Sequence, residues 1–379
     1  MKIVKPLRFL FIYGNLLLLF KNLSLISRRN RYFIYCVILL ELFLSITNCV
    51  AYVYYKIYIR YADIIYNFVL FINSTIFVLF SCYHAENLKK MLTFLESNNE
   101  FVQKDIMYLK DFARKKILII VIVITHCGLK ILMPILYSKF FNWNPKIPFF
   151  IFFILKLNSL AWDFRCVYEY SLMFALLYLF SEQLECIIRS IVKHKHFVSS
   201  NYKLKDANWP NEFVCNQYIE KMSEWFYAVT LVTEAIKLFN TVFGFQLAVM
   251  LTSGTFYVTL FLYDTAAVSI KNEYDNILLL TFILRLVVTQ LLVFVLSKAG
   301  QRLFDNVEHL RRLIGKIYIL SLADDKFYDA TKDMLMYMSC GQARVLAFGS
   351  VEVNMQLPPT LIMLFTSYTI LALQFNNVL

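Results

Sequence analysis

The chain has 379 residues, of which 59% are hydrophobic and 17% charged, and its mean hydropathy is +0.59. A soluble domain carries roughly 45–50% apolar and about 25% charged residues, so the composition excludes a soluble enzyme or binding module and implies a polytopic membrane protein. The net charge of +12 would suggest nucleic acid in a soluble chain, but here the basic residues cluster between apolar stretches, as in the inner loops of a membrane protein, and no nucleic-acid partner is expected.

Residues 9–20 are apolar but too short to cross a bilayer, and they follow Lys2, Lys5 and Arg8. This imitates a secretory leader, yet Lys21-Asn22-Leu23-Ser24 offers no small-residue cleavage site, so an interfacial helix is predicted. Spans are predicted at 32–55 and 61–83, joined by a short turn with Lys56 and Arg60. Residues 84–116 are polar and mixed in charge. A third span covers 117–137, and a loop with Trp143, Pro145 and Lys146 follows. The fourth starts near Pro148 and stays apolar to about 180, too long for one crossing, so it should continue inward as a helix. Residues 183–238 are polar and hold the one long irregular piece, 197–211. Spans five and six are predicted at 238–263 and 276–296, and 298–346 has an amphipathic helical pattern. Gly349 precedes the seventh span, 351–375, where Pro358-Pro359 should kink the helix.

Orientation follows from Lys and Arg. Residues 1–32, 84–116, 183–238 and 298–350 hold 29 of the 38, and the opposite loops hold 5. The predicted N-terminus is therefore inside and, after seven spans, the C-terminus outside. The sequons Asn22-Leu23-Ser24 and Asn73-Ser74-Thr75 then fall inside and mid-span, and neither should be glycosylated. The eight cysteines form no CxxC pair and read as buried thiols. His194, His196 and nearby Cys186 could form a metal cluster by residue type, but Lys193 and Lys195 mark a solvated basic loop instead. No Ser/His/Asp arrangement, Gly-rich phosphate loop or metal-ligand spacing occurs, so neither catalysis nor a cofactor or metal is expected.

The last span ends Ser367-Tyr368, five residues, Gln374-Phe375, and upstream lie Ala347, Gly349 and Asn354, with Gly349 nineteen residues before Tyr368. With the inside N-terminus, this resembles the insect gustatory receptor family, whose signature is Thr-Tyr, five hydrophobic residues, Gln-Phe. Ser367 replaces the Thr and keeps its hydroxyl. Only 347–375 carries specific motifs. The resemblance implies an all-α membrane protein of seven transmembrane helices and a tetrameric, ligand-gated cation channel in the plasma membrane of chemosensory neurons. Its partners would be a small-molecule tastant, identical or related subunits, permeating cations and membrane lipid. Residues 1–297 would hold the interfacial helix and the ligand-sensing helices, 298–350 the anchor helices that pack subunits together, and 351–379 the pore-lining helix.

Four copies of Gln374 around an axis would form an amide ring able to replace part of an ion's water shell, with Leu371, Ile370 and Phe375 as an apolar constriction. The alternative for Gln374 is a hydrogen bond to a neighbouring helix. Tyr368 is expected to pack between helices. A ligand pocket should combine apolar and aromatic walls with a few polar groups. Span four offers Lys156, Trp162, Asp163 and Arg165, span five Thr255 and Tyr257, and span six Arg285, each of which could instead only brace helices. Arg165 with Glu169, and Arg285 with Asp163, are candidate pairs. Trp162 is the leading ligand contact, since a flat aromatic face suits sugars, alkaloids and terpenoids. A bitter or aversive tastant is favoured over sugar. An odorant receptor of the same superfamily remains an alternative. A G-protein-coupled receptor needs the N-terminus outside, and a transporter should show internal repeats, which are absent.

Overall fold

The computed structural model describes residues 61–102, 149–203, 212–270, 276–321, 325–340 and 343–375, with scattered helical positions between 32 and 50. The expected interfacial helix and third span lie outside these residues. Helix α1 (Tyr61–Tyr83) is almost wholly apolar, whereas α2 (Ala85–Val102) carries Glu86, Lys89, Lys90 and Glu96, so the two suit different solvents. They meet at a 65° bend. The helical ladder bridges it, because the His84 amide donates to the Phe80 carbonyl and the Leu88 amide to that of His84, both at 2.9 Å.

Three long helices form the body: α3 (Phe149–Lys203), α4 (Glu212–Ile270) and α5 (Asn276–Ser321). At 1.5 Å per residue α4 is about 90 Å long, some three times a bilayer's hydrocarbon thickness. The helix predicted to continue beyond the fourth span does so, and the helices over the predicted fifth and sixth spans also run on past those stretches. Part of the expected irregular piece, 197–203, is helical. Polarity was the sequence signal there, and helices cross from apolar to polar surroundings without a change of backbone. Helix α6 (Asp325–Cys340) packs on α5, and α2 packs on α4. Among the described residues, three helices are long and apolar enough to cross a membrane, or four if the bent α1–α2 pair is one span.

The core runs along α3, where an 18-residue apolar window within Phe164–Lys193 is 89% buried inside the chain. Its polar half is tied to neighbours by a charged network. Glu182, only 1% exposed, receives Arg302 of α5 at 2.7 Å and the Tyr178 hydroxyl. Arg302 also reaches Glu185 at 2.5 Å, Arg189 meets Glu185 at 2.9 Å, and the Arg302 guanidinium lies 4.7 Å from the Tyr178 ring centre. Beside it, Asn306 donates to the Ser181 carbonyl at 3.0 Å. Gln183 donates to the Leu95 carbonyl of α2 at 3.0 Å and receives Asn98 at 3.2 Å. On α5 and α6 the Tyr318 and Tyr328 hydroxyls are 2.8 Å apart, which pushes the Tyr318 pKa up.

The chain then makes a two-stranded antiparallel hairpin, β1 (Leu346–Ala347) and β2 (Val351–Glu352), before the last helix α7 (Leu357–Phe375). The seventh span therefore starts six residues later than the hydropathy suggested, because Val351 and Glu352 pair with β1 rather than continuing a helix. Pro358 and Pro359 do not kink α7. They occupy its first turn, where the missing amides would have no intrahelical acceptor. The first turn is closed by the Gln356 amide on the Asn354 side chain (3.0 Å) and the Thr360 amide on the Gln356 carbonyl (3.2 Å).

Candidate ligand pocket and pore helix

A small aromatic cluster sits apart from the main core, built from Leu70 of α1, Trp162 of α3, and Tyr257 and Phe261 of α4. Trp162 is fully buried, and the Phe71 ring lies 5.7 Å from it at an interplanar angle of 57°. Polar side chains lie one or two helical turns further along the same helices. Arg165, buried, donates to the Ser74 hydroxyl of α1 at 2.7 Å, and the Asn73 amide donates to the Ser253 hydroxyl of α4 at 2.8 Å. Aromatic walls with a few fixed polar groups are the composition of a small-molecule site.

The sequence-predicted residues divide accordingly. Trp162 and Tyr257 are brought together, and Arg165 lies a turn from Trp162. The Thr255 hydroxyl is taken up by its own helix, on the Leu251 carbonyl at 2.9 Å. Lys156 and Asp163 are on α3 and Arg285 on α5, but their side chains lie outside the described residues, as does the proposed Arg285–Asp163 pair. Leu70, Phe71, Asn73, Ser74, Ser253 and Phe261 were missed. Asn73-Ser74 in mid-span was the available signal, since polar groups at that depth need partners.

On α7, Phe365, Thr369 and Leu373 form the buried stripe, and only 28% of its 18-residue apolar window is buried within the chain. The opposite face presents Met363, Ser367, Leu371 and Gln374 outward, with Ile370 and Phe375 at its margins. The hydroxyls of Thr366, Ser367 and Thr369 bond to carbonyls one turn back at 2.7 to 2.9 Å, which satisfies them in apolar surroundings. Tyr368 is 53% exposed within the single chain.

The hairpin fastens α7 to the body. Asn240 of α4 uses both ends of its amide, donating to the Arg344 carbonyl (2.7 Å) and accepting from the Leu346 amide (3.1 Å). The Phe348 amide donates to the Gly244 carbonyl at 2.9 Å, and Arg344 is paired with Glu352. Gly300 of α5 lies so close to β2 that a Cβ there would sit 2.0 Å from the Val353 carbonyl oxygen. The tip is a tight turn in which Phe348 (φ 51°) and Gly349 (φ 71°) are both left-handed, closed by the Ser350 amide on the Ala347 carbonyl at 3.2 Å. That conformation explains the motif glycine. For Phe348 it costs on the order of 1–3 kcal/mol.

No family model and no curated protein matches the sequence. Among solved structures, the insect olfactory receptor OR5 from Machilis hrabei aligns with a TM-score of 0.66 at 11% identity, over 92% of this chain and 90% of that one. The chain has the fold of that insect olfactory receptor. The structure of OR5 in complex with eugenol aligns with a TM-score of 0.57 at 12% identity, over 98% of this chain and 99% of that one. At these identities the likeness to OR5 extends to the path of the chain and assigns no side chain.

Proposed function

We propose that the chain is a subunit of a chemosensory ligand-gated cation channel, with four subunits around an axis lined by α7. The observation that carries this is the last helix. It buries one narrow stripe against its own subunit and turns Ser367, Leu371 and Gln374 away from it. A helix with a polar amide on its uncovered face, in a fold shared with an insect receptor, is suited to a shared water-filled axis. In this reading the chain crosses the plasma membrane of a chemosensory neuron seven times, N-terminus inside. The Trp162–Tyr257 cluster takes the tastant, and the Gln374 ring passes cations.

The Tyr368, Gln374 and Phe375 spacing, with Gly349 nineteen residues before Tyr368, supports a gustatory receptor, and a bitter or aversive compound is the favoured tastant class. A second reading is an odorant receptor, and the likeness to OR5 favours it. The test is expression of the full chain in a cell line challenged with quinine, caffeine, sucrose and eugenol. Current within milliseconds, insensitive to G-protein inhibition, supports the channel. Quinine or caffeine acting alone supports the taste reading, and eugenol alone the odorant one. Silence to all four, with the protein at the surface, counts against the proposal.

A further inference from the structure

Helices α1 and α4 run antiparallel, with three rungs in one register. Leu70 and Tyr257 share the aromatic cluster, Asn73 bonds Ser253 at 2.8 Å, and the Phe80 ring stacks on that of Phe245 at 4.8 Å and 12°. The line of rings does not stop there. His84, at the α1–α2 bend, lies 5.4 Å from Phe80, and Phe245 lies 6.1 Å from Phe348 at the hairpin tip. From Tyr257 to Phe245 is twelve residues, or about 18 Å along α4. The rungs therefore connect the candidate pocket to the turn that leads into α7.

Phe348 is an unusual occupant of that turn. Glycine or asparagine suits a left-handed position, and a bulky residue there is strained. Phe348 is also 69% exposed within the single chain, so little burial inside its own subunit offsets the strain. What the side chain does gain is its contact with Phe245. Backbone strain retained at a bulky residue points to function, and here it falls where the body of the subunit meets the pore helix.

We propose that Phe348 is a positioning residue for gating: its ring, resting on Phe245, passes displacement of α1 against α4 to the 347–350 turn and so to α7. The inference rests on the channel reading above. A ligand entering between Leu70, Trp162 and Tyr257 shifts α1 along α4. Phe80 then moves the Phe245 ring, and the turn follows because the Phe348 amide is held on the Gly244 carbonyl of the same helix.

The experiment uses the full chain in the expression system above, with whichever of the four compounds opens the wild type. Phe348→Gly removes the ring while leaving a residue at ease in the left-handed turn, so folding is spared. Phe245→Leu removes the partner ring, and Phe348→Tyr keeps the contact. The expected result is that Phe348→Gly and Phe245→Leu each raise the half-maximal agonist concentration at least about fivefold, the low end of ordinary site-to-site coupling. The double variant should be no worse than the poorer single one, and Phe348→Tyr should match the wild type. Shifts under twofold, shifts that multiply in the double variant, or smaller currents at an unchanged half-maximal concentration would each overturn it. Failure of the wild type to conduct would remove the channel reading and this inference together, whereas a conducting wild type with unshifted variants removes the inference alone.

Discussion

Gly300 and Gly315 lie on the same helix, and the same substitution at the two should have opposite sign. In Gly300→Ala the new methyl group would sit 2.0 Å from the Val353 carbonyl oxygen, 3.1 Å from its carbon and 3.3 Å from Cγ1. The nearest obstacle is backbone, so α5 and β2 must separate by more than 1 Å, roughly, to restore ordinary contact. Overpacking of this kind costs about 1–3 kcal/mol, and the overlap argues for the upper end. Separation also strains the Met355 amide contact with the Gln301 side chain, already long at 3.4 Å. Against this stands the helix preference for Ala over Gly, about 1 kcal/mol, leaving a net loss near 2 kcal/mol. At Gly315 a Cβ meets nothing within 4 Å, so Gly315→Ala keeps only the gain of about 0.5–1 kcal/mol. Thermal melting of detergent-solubilised protein, followed by fluorescence-detected size exclusion, reads both. The midpoint should fall for Gly300→Ala and rise or hold for Gly315→Ala. Equal shifts of the same sign would refute the close approach of α5 to the hairpin.

Trp162→Ala should raise the half-maximal agonist concentration at least tenfold in calcium imaging, about 1.4 kcal/mol, while Thr255→Val, whose hydroxyl serves only its own helix turn in the structure, should change it less than twofold. Arg302→Met leaves Glu182 buried without its cation, so surface expression should drop sharply, in keeping with a loss of about 3–5 kcal/mol for breaking a buried pair. Adding Glu182→Gln to Arg302→Met should recover part of that expression, because the buried charge is then gone.

How far the sequence reaches is visible residue by residue. Hydropathy placed α1, with its end at Tyr83, to the residue. The continuation of α3 was legible from its length, but the polar stretch 183–238 hid how far it runs and that α4 begins at Glu212, since amphipathic helix and loop differ little in average hydropathy. The hairpin was invisible because two-residue strands leave no period-two pattern, and Val351 and Val353 read as the start of a span. The double proline suggested a kink because its meaning depends on whether it falls in the first turn or later. In the pocket, Trp162 and Tyr257 were legible as aromatics among polar span residues. Their α1 neighbours Leu70 and Phe71 were not, being ordinary apolar residues in an apolar helix. The Asn73–Ser253 and Ser74–Arg165 contacts join residues 180 and 91 positions apart, which no local pattern encodes.

The claim at the centre is that the uncovered face of α7 lines a conducting axis. Cysteine substitution along α7, with current recorded before and after a water-soluble thiol reagent applied to the open channel, tests it most directly. Ser367→Cys, Leu371→Cys and Gln374→Cys should be blocked, and Thr369→Cys and Leu373→Cys, on the buried stripe, should not. Block at Thr369 and Leu373 with none at Gln374, or no block anywhere along the helix while the channel conducts, would contradict the account.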